Sequence, residues 1–198
     1  MGGVNDLLIN TEVIEMEFRN FLRMNGLKQH SYIDESAVVN RHWKTIFLFI
    51  QGKELNNNSK FFPRTMTMVK RVPGLSKMFV LFSVLEPGAE ISQHTGPING
   101  MLRIHIPLIV PVGDCYLDVS GEQIRWKKGQ AVIFDDSFSH RATNQTSTHR
   151  VVLLISIYNP QLSTLQRQAV VNIESMLYES EISSGWVKNN YRMQNYAT

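Results

Sequence analysis

Residues 88–159 read GAEISQHTGPINGMLRIHIPLIVPVGDCYLDVSGEQIRWKKGQAVIFDDSFSHRATNQTSTHRVVLLISIYN. Short β-branched and aromatic runs alternate here with turn signals: Pro111-Val112-Gly113-Asp114, Ser120-Gly121 and Lys128-Gly129. Together with the run just upstream, closed by Glu86-Pro87-Gly88, the spacing predicts eight strands. They fall near 78–86, 90–94, 101–110, 114–119, 122–127, 131–134, 139–144 and 149–158. Eight strands at this spacing predict a mainly β fold with flanking helices: a double-stranded β-helix, the cupin-like jelly-roll barrel. In that barrel His94 would end an early strand and His140, 46 residues on, would open a late one. Arg150 would lie on the next strand, facing inward.

Outside the barrel core, placed at about 78–158, the texture is helical at both ends. From 5 to 25, Leu8, Val13, Met16, Phe18, Phe21 and Leu22 recur at helical spacing, and Asn25-Gly26 is a stop signal. Residues 162–178 repeat the pattern with Leu165, Ala169, Val170, Ile173, Met176 and Leu177. Between them, 36–50 predicts a strand after a turn, and Asn56-Asn57-Asn58-Ser59 a mobile polar loop. Thr65 to Arg71 predicts a short amphipathic helix. The loop at 52–61 and the polar tail at 185–198 are candidate covers for a pocket. With 198 residues the expectation is one domain, residues 1–198.

Hydrophobic residues make up 43% of the chain, enough for a sizeable core, and the formal net charge is +3 with Lys and Arg scattered. No basic run suggests a nucleic-acid partner, and no stretch of about 18 apolar residues suggests an integral membrane segment. The lone Cys115 can form no internal disulfide, which fits a reducing compartment, and the expected location is cytoplasmic. The sequence leaves the oligomeric state open.

Several residues could carry chemistry. Two neutral imidazoles, often joined by a carboxylate, are how non-haem iron(II) oxygenases hold their metal while keeping positions open. The usual local pattern is His-x-Asp or His-x-Glu, but this chain has His94-Thr95-Gly96, and glycine cannot be a ligand. A metal site would therefore have two protein ligands, His94 and His140, with water or another small ligand in the third place. Arg150 leads into Val151-Val152-Leu153-Leu154-Ile155. A cation there needs an anionic partner, either a bound carboxylate or a salt bridge to Asp135 or Asp136. Arg103 and His105 share a strand face with Met101 and Pro107, opposite Leu102, Ile104, Ile106 and Leu108. That face is either a polar pocket wall or the exposed side of an edge strand. Ser83 would point inward with Phe79 and Leu81, its hydroxyl able to donate to a carboxylate. Asp135 and Asp136 read as turn-forming and network residues rather than an acid/base pair. His149 should face away, and Cys115 reads as a small strand residue.

At these residues the sequence resembles the aspartyl/asparaginyl β-hydroxylase family of Fe(II)- and 2-oxoglutarate-dependent dioxygenases. The resemblance rests on HTGPINGMLRIHIPLIVP, WKKGQAVIFDDSFSHRATN and HRVVLLISIYNPQLSTLQR, with Trp43, Gln51-Gly52 and the Pro63 to Pro73 segment upstream. It implies that His94 and His140 hold iron, and that glycine at 96 belongs to the family pattern. It implies that Arg150 pairs with the distal carboxylate of 2-oxoglutarate, supported by Ser83, with His105 also at the cosubstrate. Arg103 would reach a carboxylate of cosubstrate or substrate, and Trp43 and Met101 are candidate pocket walls. The implied reaction consumes O2 and 2-oxoglutarate, releases succinate and CO2, and hydroxylates an unactivated C–H bond. Where the animal enzymes carry Arg-x-Arg, this chain has Met101-Leu102-Arg103. The expected substrate is therefore an amino acid or an amino-acid-containing small molecule, free, carrier-bound or in a peptide. Related members also act on lipids, which ranks lower here. The alternatives are a non-catalytic cupin-like binding module and, behind it, a radical halogenase admitting chloride beside Gly96.

Overall fold

The computed structural model describes residues 2–27 and 42–183. Ten strands and five helices follow one another in it. The eight barrel strands are β3 (Leu75–Leu85), β4 (Ala89–His94), β5 (Met101–Ile109), β6 (Cys115–Val119), β7 (Glu122–Ile124), β8 (Val132–Phe134), β9 (His140–Asn144) and β10 (Arg150–Tyr158). They lie within three residues of the expected runs. β1 (Trp43–Ile50) and the short β2 (Lys53–Glu54) extend one edge.

The strands form two antiparallel sheets, a six-stranded one in the order β2-β1-β3-β10-β5-β8 and a four-stranded one in the order β4-β9-β6-β7. From β3 onward, apart from the β6–β7 hairpin, the chain alternates between the sheets, which is the winding of a double-stranded β-helix. Between them lies a core of Trp43, Leu85, Phe134 and Val152 from the large sheet with Ile91, Leu117 and Ala142 from the small one.

The outer face of the large sheet is covered by helices. The alternate residues Val80, Phe82 and Val84, Ile104, Ile106 and Leu108, and Val151, Leu153 and Ile155 pack against Leu7, Ile14, Phe18, Phe21, Phe62 and Met66. Strict alternation along β3, β5 and β10 therefore sends Ser83, Arg103, His105 and Arg150 the other way, into the barrel.

Three differences from the sequence reading have physical causes. The N-terminal segment is two helices, α1 (Gly2–Ile9) and α2 (Thr11–Asn25), broken at Asn10. On α2 the buried face is Ile14, Phe18 and Phe21 with Glu17, while Met16 is exposed. Glu17 goes inward because it caps α4 (Pro63–Val69). Its carboxylate accepts from the backbone N–H of Arg64 at 3.0 Å and of Thr65 at 3.0 Å, and from the Thr65 hydroxyl at 2.6 Å. The asparagine run is not a free loop but a helical turn, α3 (Asn56–Ser59). Asn58 is buried and donates to the Phe47 carbonyl at 2.9 Å, which ties α3 to β1. The last helix, α5 (Thr164–Ser183), seats on Ile98, Met101 and Tyr158 through Val170. Residues 28–41, with His30, and the tail at 185–198 lie outside the described residues. None of the described helices is long and apolar enough to cross a membrane.

Candidate active site

Pairing of β4 with β9 puts His94 directly opposite His140, with their rings 4.2 Å apart. Each ring is aimed by its own backbone. His94 Nδ1 lies 2.8 Å from the Ser92 carbonyl, and His140 Nδ1 lies 2.9 Å from the Phe138 carbonyl. A carbonyl only accepts, so Nδ1 carries the proton in both rings and Nε2 keeps its lone pair. This is the tautomer a divalent metal requires, fixed by the second hydrogen bond. Burial pushes the His140 pKa down, and the neighbouring His94 and Arg103 push the same way. Among the described residues, no cluster of three or more His, Cys, Asp or Glu side chains completes a metal site.

The reason lies at Gly96. A Cβ built there would stand 2.1 Å from Asp136 Oδ2, and the Gly96 N–H donates to the Asp136 carbonyl at 2.6 Å. The Asp136 carboxylate thus fills the space where a side chain at 96 would begin. It is buried, and Arg103 grips its Oδ2 through Nε at 2.7 Å and Nη2 at 2.6 Å. Its Oδ1 is buried without a hydrogen-bond partner among the described residues. Asp135 instead makes the turn, accepting from the Ser137 N–H at 2.9 Å.

Arg103 is therefore already committed. Besides Asp136 it donates to the Ser156 hydroxyl and to Met78 Sδ at 3.1 Å, and it lies over the Phe79 ring at 4.5 Å. The carboxylate in its fork belongs to the chain, where the resemblance implies one of cosubstrate or substrate. Met101 is buried with Ile98, Tyr158 and Val170 and does not line the cavity, because α5 closes over the start of β5.

Arg150 is the contrary case. It is 1% exposed, yet among the described residues it has no carboxylate partner and its Nε has no hydrogen-bond partner. Its Nη1 donates to the Ser83 carbonyl at 3.1 Å and to Ser83 Oγ at 3.3 Å, and its guanidinium lies 4.5 Å over the Trp126 ring. Burial pushes its pKa down to about 10. Trp43 Nε1 also donates to Ser83 Oγ, at 3.0 Å. With two donors entering that oxygen, the Ser83 proton is free to point at a ligand.

His105 completes this end. Trp126 Nε1 donates to His105 Nδ1 at 3.1 Å, so the neutral ring carries its proton on Nε2. Burial, then Arg150, His140 and Arg103, hold its pKa well below the usual 6.5. One indole thus supports two polar groups. Sequence reasoning missed Trp126, and the one available signal was a tryptophan set among Arg125, Lys127 and Lys128, a polar surrounding that gives an aromatic no reason to be outside.

A cavity of about 390 Å³ joins these groups, lined by His94, Gly96, His140, Arg150, Ser83 and His105 among others, with Trp43 also in its wall. The residues fit an Fe(II)–2-oxoglutarate pair on two grounds. The two imidazoles both offer Nε2, and a buried cation without a carboxylate partner among the described residues lies in the same cavity.

Known proteins carry the same stretch. The family model described as "Aspartyl/Asparaginyl beta-hydroxylase" matches residues 9–160. The human protein named aspartyl/asparaginyl beta-hydroxylase is 31% identical over 140 residues, 69% of this chain and 18% of its own. The ornithine lipid ester-linked acyl 2-hydroxylase of Rhizobium tropici is 41% identical over 120 residues, 60% and 42%. Aspartate beta-hydroxylase domain-containing protein 2 of Xenopus tropicalis is 33% identical over 178 residues, 84% and 45%. The chain spans less than half the length of each of these relatives. Among solved structures it is similar to the Cnp3 cupin domain of Schizosaccharomyces pombe (TM-score 0.42, 14% identity, covering 70% of this chain and 77% of that one). With residues 9–160 matched, from the end of α1 through the whole of β10, this chain belongs to the aspartyl/asparaginyl beta-hydroxylase family.

Proposed function

We propose that residues 1–198 form a single Fe(II)- and 2-oxoglutarate-dependent dioxygenase domain. It hydroxylates an unactivated C–H bond of an amino acid or an amino-acid-containing small molecule. The observation that carries this is Arg150: a fully buried guanidinium, without a carboxylate partner among the described residues, beside two ligand-ready histidines. Burying such a charge without a partner costs several kcal/mol, on the order of magnitude known for isolated buried ions, and a bound dicarboxylate would offset it. His94 and His140 would hold the metal through Nε2. Arg150 would take the distal carboxylate of 2-oxoglutarate, with the Ser83 hydroxyl and the Nε2–H of His105 donating to its oxygens. When bound, iron(II) with 2-oxoglutarate and O2 would supply the oxidising power that inserts one oxygen atom into the C–H bond as the 2-oxoacid becomes succinate and CO2. The apolar cavity wall, including Phe79, Leu81 and Leu154, would keep water away from the reacting carbon.

Two further observations weigh on the alternatives. The Asp136 carboxylate beside Gly96 leaves no vacant space for a halide there, which favours hydroxylation over halogenation. The intact tautomer-fixing bonds of His94 and His140 favour a metal centre over a binding module without one. The names of the human and Rhizobium relatives both couple hydroxylation to an amino-acid-containing substrate, which supports the substrate class.

The test is anaerobic addition of Fe(II) and 2-oxoglutarate to the metal-free protein. A visible charge-transfer band from the chelate is expected. It should vanish in His94→Ala and His140→Ala and weaken strongly in Arg150→Ala. A folded wild-type protein that gives no band would overturn the proposal.

A further inference from the structure

The cavity has a second end that the reaction chemistry does not use. Along the inward face of β3 run Ser83, Leu81, Phe79 and Lys77, all in the cavity wall. At about 3.3 Å per residue, those six steps span roughly 20 Å. Ser83 holds the Arg150 end. At the Lys77 end the wall is completed by α5, through Glu174, Ser175 and Leu177.

Glu174 is 8% exposed, and its two oxygens have different fates. Oε2 accepts from the Tyr158 hydroxyl at 2.5 Å, which ties α5 to the end of β10. Oε1 is buried with no hydrogen-bond partner among the described residues. A tether to Tyr158 needs only one oxygen, so the bare one calls for a separate explanation. The nearby cations do not supply it. Arg103 is neutralised by Asp136, and Lys77 lies in an exposed position with its stem against Gly52, making no ion pair with Glu174 among the described residues. Burial pushes the Glu174 pKa up, and the opposing Tyr158 hydrogen bond and the pull of Lys77 and Arg103 do not cancel it. Between this carboxylate and the histidines the wall is largely apolar, including Phe47, Phe79, Leu81 and Ile98. Moreover α5 begins at Thr164, beyond the residues 9–160 that the family model matches.

We propose that Glu174 is a specificity-determining residue that binds the ammonium group of an amphiphilic amine, whose apolar segment lies along Phe79 and Leu81 toward the histidines. This names the substrate class for the hydroxylase reading and rests on it for the site's chemistry. The unpartnered Oε1 would accept from the ammonium. Leu177 and Ile98 would cover the methylene groups beside it.

The experiment is isothermal titration of the full chain, free of metal and of 2-oxoglutarate, with hexylamine and with 1-hexanol at neutral pH. The two probes share an apolar segment and differ in the charged head. Hexylamine is expected to bind at least 10-fold more tightly than hexanol. Glu174→Gln should remove that preference while leaving the hexanol affinity within 2-fold. Equal affinities in the wild-type protein, or a preference that survives in Glu174→Gln, would overturn the proposal. Should the glutamine variant not fold, the wild-type ranking of the two probes decides alone. Because neither iron nor cosubstrate is present, this readout is independent of the charge-transfer band. An amine preference with no band would overturn the hydroxylase reading and leave the Glu174 site standing. A band with no preference would do the reverse.

Discussion

Asp136 Oδ2 occupies a point 2.1 Å from where a Cβ on Gly96 would stand. The space in which a side chain at 96 would begin is filled by a carboxylate from the turn ahead of His140, and that carboxylate is held in place by Arg103. A side chain at 96 cannot be added without moving a buried ion pair.

Gly96→Ala should therefore destabilise the fold by about 1–3 kcal/mol, the range for overpacking a tight site. Gly96→Asp alone should be worse, because two carboxylates would compete for one place. Combined with Asp136→Gly it should recover, since the introduced carboxylate could then take the Arg103 fork. Urea denaturation measures all three; a Gly96→Ala variant within about 0.5 kcal/mol of wild type, the level of a neutral surface change, would contradict the geometry.

The two inward arginines should respond oppositely to removal. Arg103→Met strands a buried carboxylate and should cost about 3–5 kcal/mol. Arg150→Met removes a buried cation that has no carboxylate partner among the described residues, so stability should stay within about 1 kcal/mol of wild type or rise. The same Arg150 variant should bind 2-oxoglutarate on the order of 100-fold more weakly, as expected for losing a buried charge-paired hydrogen bond. Titration calorimetry with Fe(II) under argon measures it.

Acid should destabilise the metal-free protein through His105. Its folded-state pKa lies well below 6.5, so in the unfolded chain it takes up a proton that the folded site refuses. Stability from this group is complete above about pH 6.5 and is lost as pH falls below that value, by about 1.4 kcal/mol for each pH unit until the folded pKa is reached. Replacing His105 by Gln should flatten the dependence of the denaturation midpoint on pH on the acid side of about 6.5; an unchanged slope would count against burial of a neutral ring.

Trp126→Phe keeps a ring under Arg150 and removes the donor to His105 Nδ1. The expected loss of stability is about 0.5–1.5 kcal/mol. Affinity for 2-oxoglutarate should fall several-fold, because the His105 proton is no longer held on Nε2. Trp126→Leu should lower that affinity further by also removing the cation–π contact, and nitrogen NMR of the His105 ring would report the change of tautomer directly.

Glu17→Ala should cost about 2–3 kcal/mol, since it leaves two backbone N–H groups and the Thr65 hydroxyl without an acceptor at the start of α4. Glu15→Ala, on a partly solvated face of α2, should cost less than about 1 kcal/mol. Thermal unfolding of the two variants side by side distinguishes a buried cap from a surface ion pair.

The sequence by itself determined the barrel. Alternation along β3, β5 and β10 separates Val80, Phe82 and Val84 from Ser83, and Ile104 and Ile106 from Arg103 and His105, and a period of two admits one answer once one face must be apolar. Turn residues fixed where each strand stopped. That His94 and His140 come together was legible because residues at the ends of paired strands meet wherever the strands do. Pairing partners inside the barrel were not legible. Arg103 and Arg150 are both inward-facing arginines, and only the three-dimensional arrangement gave Asp136 to the first and left the second with no carboxylate among the described residues. Trp126, Glu17 and Glu174 act across 21, 47 and 16 residues of chain respectively. Such contacts obey no local period. They depend on which side chain reaches a buried polar group first, and that is settled when sheets and helices pack.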